Sequence, residues 1–256
     1  MCACSFATRA LARLAASPES HPSIAAEGGV TLILELLSSQ NVVCHEQAAH
    51  TLVNLSKGTE ETILKEITAA IPTIAVLLRT ATEGFQEQLL RTLANLAQHS
   101  ISRPTLIAEG AVGLFIQLLN DKSSASCEQA AQALTSLTVD EQGIQAIMKE
   151  GGIIPLVEQV RNGSRNSIDH VVVALSNLAK RKDCRDAMLA EGTMQHIVHL
   201  LVTGSKATKQ NVARLLSTIS SDDGKGRDPL VDSTDGPRLC VCRPDYLSRW
   251  RHSFID

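Results

Sequence analysis

One stretch recurs along this chain at a fixed interval, and it narrows the possible folds more than any other feature. QAAHTLVNL begins at Gln47, QLLRTLANL at Gln88, QAAQALTSL at Gln129 and HVVVALSNL at His170. Their central leucines, Leu52, Leu93, Leu134 and Leu175, stand 41 residues apart, and the same ruler reaches Leu11 and Leu216. A period of this size without slippage marks a unit that cannot bury its apolar face alone and stacks on copies of itself. Read as a globule, 256 residues would make one large domain or two small ones. A stacked repeat escapes that count, because each unit touches only its neighbours.

Each unit reads as a short, a medium and a long helix. In the second unit a short helix ends at Glu27-Gly28-Gly29. VTLILELLSS follows, apolar at Val30, Ile33, Leu34 and Leu37 with the helical period. After a polar break at Gln40-Asn41 comes the long helix with Ala48, Ala49, Leu52 and Leu55. The Glu-Gly pair returns at Glu109-Gly110, Glu150-Gly151 and Glu191-Gly192. Glycine takes the left-handed conformation after a helix end at least cost, so these pairs predict sharp corners. The third unit has Thr68-Ala69-Ala70 there, followed by Pro72, which predicts a looser or differently angled corner. The long-helix ruler also reaches Leu14, on a helix expected to show a bare apolar side, and it assigns burial to Leu55, Leu96, Leu137, Leu178 and Ile219, and to pairs such as Leu89-Leu90 and Val212-Ala213. Aromatics are 2% of the chain while hydrophobic residues are 44%, so the core must be aliphatic.

These lengths predict an all-α stack of helical repeats in three parts. Residues 1–17 hold the last helix of a truncated first repeat. Residues 18–221 hold five repeats, about 18–57, 58–98, 99–139, 140–180 and 181–221. Residues 222–256, rich in Asp, Gly, Pro, Ser and Arg, read as a mostly disordered tail that holds Tyr246, Trp250 and Phe254.

Glu-Gly-Gly-Val, a leucine-rich second helix and then EQAAHTLVNLS together resemble the armadillo repeat over roughly residues 5 to 221, and EGGIIPLVEQV with VVALSNLAK is the nearest single unit. The resemblance implies a right-handed superhelix, an armadillo solenoid, whose long helices line a concave groove that binds an extended peptide or a partner's tail. It also implies an asparagine on each long helix holding the ligand backbone. By matching position these are Asn54, Asn95 and Asn177, with Ser136 and Thr218 standing where further members would be. Nuclear-import adaptors of the family carry Trp four residues earlier; here those places hold His50, Arg91, Gln132, Val173 and Arg214, which argues against nuclear-localisation-signal binding. Residues four apart share a helix face, so a further row one turn earlier holds Glu46, Glu87, Glu128, Asp169 and Gln210. One reading of the stripe is a groove for main-chain amides and charged side chains of a bound segment. The plainer reading is a solvated face with acids near helix N-termini, where the helix dipole favours them.

The rest of the sequence removes function classes. Net charge is −3, which gives no bulk case for nucleic acid. No P-loop, GxSxG or HExxH motif occurs, and the histidines are dispersed, so no enzyme, metal or cofactor is expected. Cys240-Val-Cys242 lacks the four ligands of structural zinc. Seven scattered cysteines fit a reducing, cytoplasmic location, the nucleus also being open to the chain. Membrane association is expected only through lipidation at Cys2 or Cys4. The expectation is a non-enzymatic scaffold binding a protein or peptide ligand. The alternatives are a membrane-associated vacuolar-type adaptor and the substrate-binding arm of a ubiquitin ligase complex.

Overall fold

The computed structural model describes residues 3–39, 41–78, 81–121 and 123–220; the tail and its aromatics lie outside them. Sixteen α-helices are described. They are α1 (Ala3–Leu14), α2 (His21–Ala26), α3 (Gly29–Leu37), α4 (Val42–Leu55), α5 (Glu61–Ala69), α6 (Ile71–Leu78), α7 (Glu83–Gln98) and α8 (Arg103–Ala108). Then follow α9 (Ala111–Leu118), α10 (Ser124–Leu137), α11 (Glu141–Lys149), α12 (Ile153–Asn162), α13 (Arg165–Leu178), α14 (Lys182–Ala190), α15 (Thr193–Thr203) and α16 (Lys206–Ser220). After α1 they fall into triplets whose third helix is the longest; in most the first is the shortest, but α5 has 9 residues and α6 has 8.

Every third helix is long, and α1, α4, α7, α10, α13 and α16 pack side by side in that order. From α4 on, each also packs on the second helix of its own triplet, α3, α6, α9, α12 or α15. Leu52, Leu93, Leu134 and Leu175 are fully buried between layers, as are Leu55, Leu96, Leu137 and Leu178. The core is one continuous cluster from Ala15 to Ile219, and it is not purely aliphatic as expected, because Phe85 and Phe115 are buried within it.

Local chemistry starts and ends the helices at fixed phase. Before the long helices stand Asn41, Thr82, Ser123, Ser164 and Ser205, again 41 apart. Asn41, Ser123 and Ser164 accept backbone N–H bonds through their side chains, and the Ser205 hydroxyl accepts from the Thr208 N–H. Such caps satisfy donors that the first helical turn leaves orphaned. The corners at Gly28, Gly110, Gly151 and Gly192 have φ of 68°, 72°, 69° and 67°. The corner without glycine does differ: Ala70 stays right-handed at φ −90°, and α6 starts directly behind it with Pro72 in its first turn.

The ruler overreaches at the ends. Leu14 is 52% exposed, Ala213 is exposed and Leu11 and Leu216 are only half-buried. The cause is simple: α1 and α16 have a stacked neighbour on one side only among the described residues.

Candidate peptide-binding groove

The long helices present one continuous face, and their shared phase brings the predicted rows together on it. The rows have different neighbours, which separates their roles.

The asparagines hold one layer to the layer before it. Asn95 is 6% exposed, and its Nδ2 donates to the Ser56 hydroxyl at 3.0 Å and to the Val53 carbonyl at 3.3 Å. Asn177 Nδ2 donates to the Thr138 hydroxyl at 3.0 Å, while its Oδ1 accepts from Lys180 at 3.2 Å. Asn54 meets no hydroxyl; its Nδ2 donates to the Ala12 carbonyl at 3.4 Å. Ser56 and Thr138 both stand 39 residues before the asparagine they meet. Ser136 and Thr218 have Ala97 and Ala179 at that distance, and their hydroxyls turn back to the carbonyls of Gln132 and Arg214 on their own helices. Ser136 and Thr218 thus lack the cross-layer hydroxyl that Asn95 and Asn177 meet, and so does Asn54, which has Ala15 at that distance.

Three of the acids also serve the scaffold. Glu128 accepts from Asn166 at 3.2 Å, at the start of the next long helix. Asp169 accepts from Ser205 at 3.2 Å and from Thr208, bracing the cap of α16. Glu87 pairs with Arg91 on its own helix at 2.9 Å. The dipole argument therefore covers only part of the row; Glu128 and Asp169 reach sideways across a layer. Glu46 is half-buried on α4.

The middle row faces outward. His50 and Arg214 are exposed, and Arg91, Gln132 and Val173 are half-buried. At the α1 end an open cleft of about 390 Å³ lies between α1 and α4, lined by Arg9, Arg13, Gln47, His50 and Asn54 over Ala12 and Ala16.

Two sets of residues escaped the sequence reading. Gln47, Gln88, Gln129, His170 and Asn211 form another polar row on the same face, and the buried side-chain oxygens of Gln88 and Gln129 have no hydrogen-bond partner. Their recurrence at the head of each repeated motif was the available signal. The second set caps the ends of long helices: His21 reaches the Ala15 carbonyl at 2.9 Å, Arg103 donates to Ala97 at 2.9 Å, and Arg185 donates to Ala179 at 2.7 Å. These residues recur every second repeat, so a single-period comparison hides them. His99 fills a gap by meeting the Ser56 carbonyl at 3.1 Å.

The thiols in the described core are structural. Cys44, Cys127 and Cys184 are buried and form no disulfide. Burial, and secondarily the charge of Asp183, pushes the Cys184 thiol up to about 11. Asp183 itself is held down to about 2, chiefly by its hydrogen bond from Arg181, which also pairs with Glu141 of the preceding triplet. Among the described residues no group of three or more His, Cys, Asp or Glu is arranged to hold a metal, and no helix is long and apolar enough to cross a membrane. Cys2, Cys240 and Cys242 and the side chain of Cys4 lie outside what the structure describes.

Stacked triplets with glycine corners and a ladder of long helices define an armadillo solenoid, a fold that is typically a non-enzymatic binding scaffold. An engineered protein of this architecture is 26% identical, with a TM-score of 0.78 over 85% of this chain and 90% of its own. Another is 28% identical, with a TM-score of 0.79 over 85% of this chain and 54% of its own. A designed armadillo repeat protein in complex with the peptide (KR)4 is 21% identical, with a TM-score of 0.77 over 84% of this chain and 92% of its own. Among curated proteins none matches. The family model described as "Plant U-box protein ARM repeat region" matches residues 7–234, and the chain belongs to that family.

Proposed function

We propose that the chain is a non-enzymatic scaffold that binds a peptide segment of another protein along the face of its long helices. The observation that carries this reading is the middle row. His50, Arg91, Gln132, Val173 and Arg214 recur in one phase on successive stacked helices, and only Arg91 is tied to an ion-pair partner among the described residues. A row kept polar or small across five layers, above a packed core, suits a chain lying across the helices.

The asparagines have a divided role in this reading. An amide group has two N–H donors. Asn95 spends its donors inside the scaffold. Asn54 and Asn177 each spend one donor and are only half-buried, which leaves the other for a ligand carbonyl. The designed neighbour in complex with (KR)4 points the same way.

Selection of linear peptides from a display library against the whole chain, followed by affinities for variants, tests this reading. His50→Glu and Gln132→Glu should each weaken selected peptides by about tenfold, because neither side chain is needed by a neighbour and both stand in the binding face. Glu158→Ala, exposed on α12, should leave affinity unchanged. Peptides sensitive to Glu158→Ala and indifferent to the other two would overturn the groove reading.

The family match favours a second reading of the same face. Plant U-box proteins join a ubiquitin-transferring module to armadillo repeats, so this chain would be the substrate-binding arm of a ubiquitin ligase complex. A transfer assay with this chain alone should be blank; transfer above background would contradict a non-enzymatic scaffold. A cytoplasmic location suits both readings. The membrane-adaptor alternative rests on Cys2 and Cys4, and nothing in the comparisons supports lipidation there.

A further inference from the structure

The charged groups of the groove are unequally committed. Glu87, Glu128 and Asp169 are engaged by Arg91, Asn166 and the Ser205–Thr208 cap. Arg9 and Arg13 on α1 are exposed and make no ion pair among the described residues. They stand four apart, so they share one face of α1. That face borders the cleft of about 390 Å³ whose opposite wall is Gln47, His50 and Asn54 of α4. The cleft thus gathers two guanidiniums, an imidazole and two amides, and no carboxylate lines it. Glu46, one turn nearer the start of α4, is not part of the lining. Ala12 and Ala16 make a small, shallow floor that lets a side chain approach both arginines.

The geometry points to an anion-reading pocket at the α1 end of the groove, which takes the carboxylates of an Asp/Glu-rich segment of a partner protein. This inference rests on the groove reading and adds the charge and polarity of the ligand. Guanidinium forks match carboxylates bidentately, and an unpaired pair of them repels Lys and Arg as strongly as it attracts Asp and Glu. A basic peptide such as the (KR)4 bound by the designed neighbour would meet acids already engaged at Glu87, Glu128 and Asp169, and two arginines without ion-pair partners at this end, against the one remaining acid of the row, Glu46. The segment's acidic residues sit between α1 and α4, and its remaining length runs on over α7 and α10.

The test is fluorescence anisotropy of the whole chain with labelled peptides of equal length: alternating Glu and Asp, alternating Lys and Arg, and a neutral control. The acidic peptide should bind best, and its affinity should fall with added salt. Arg9→Glu/Arg13→Glu should weaken it by about tenfold or more, while Arg9→Lys/Arg13→Lys should keep most of it. Both arginines are exposed, so circular dichroism of the variants should match wild type. No preference for the acidic peptide, or a preference that survives the charge reversal, would overturn the pocket. If the acidic peptide fails but a library-selected neutral peptide is still lost in Gln132→Glu, the groove stands and the pocket alone is refuted.

Discussion

Removing the Asn95 amide should destabilise the stack and not merely a binding site. Asn95 is almost fully buried and makes two cross-layer bonds, to Ser56 Oγ and Val53 O. A buried hydrogen bond contributes a net of about 0.5–1.5 kcal/mol, so Asn95→Ala should cost about 1–3 kcal/mol. Ser56 Oγ keeps its own bond to Val53 O at 2.9 Å, which places the cost below that of a fully orphaned hydroxyl. Asn54→Ala loses one 3.4 Å bond from a half-exposed group and should cost under about 1 kcal/mol. Asn177→Ala should fall between the two. The assay is urea unfolding followed by far-ultraviolet circular dichroism. A Ser56→Ala/Asn95→Ala double-mutant cycle should give a coupling of about 0.5–1.5 kcal/mol, since the pair shares a bond. The reverse experiment installs the pair where it is missing: Ala97→Ser/Ser136→Asn should be more stable than the sum of its single changes. An Asn95→Ala variant as stable as wild type, or a coupling near zero, would refute the view that these asparagines join layers.

Other expectations rest on separate contacts. Gly110→Ala should cost about 1–2 kcal/mol from the left-handed backbone alone, because its added Cβ meets nothing within 4 Å. Gly143→Ala should cost more, about 3 kcal/mol, because the Cβ would collide with the Leu137 carbonyl at the end of α10; thermal melts of the two variants rank them. Arg103→Ala should cost about 2–4 kcal/mol, since the guanidinium is 11% exposed, caps Ala97 and Gln98 and pairs with Asp140 at 2.5 Å. Arg103→Lys should restore only part of that, lacking the planar fork. Cys184 should resist iodoacetamide in the native state, read by mass spectrometry. Its raised folded value means that the thiol's contribution to stability is complete below the ordinary thiol range and is lost as pH rises from about 9 towards about 11. Cys184→Ala should flatten that alkaline decline.

The repeat length, the buried leucines and the glycine corners were legible because each is a backbone or packing requirement repeated every 41 residues. The shared phase of the asparagines was legible, but their contacts were not legible from that row alone. A shared phase says which way a side chain points; it does not say what stands in the next layer. Ser56 and Thr138 became meaningful only when the stack brought them opposite Asn95 and Asn177. Glu128 and Asp169 were read by their place on their own helices, whereas their contacts lie on the following ones. The His21, Arg103 and Arg185 caps skip alternate repeats, so a comparison of adjacent units passes over them. Burial at Ala213 failed for the opposite reason: the pattern persists in α16, which among the described residues has a stacked neighbour on one side only.

The measurement that bears most directly on the groove is hydrogen–deuterium exchange of the whole chain with and without a library-selected peptide. Binding along the long helices should slow exchange in α4, α7, α10 and α13 around His50, Arg91, Gln132 and Val173, and leave α3, α6, α9 and α12 unchanged. Protection confined to α3, α6, α9 and α12 would contradict the account and move the binding site to the other side of the solenoid.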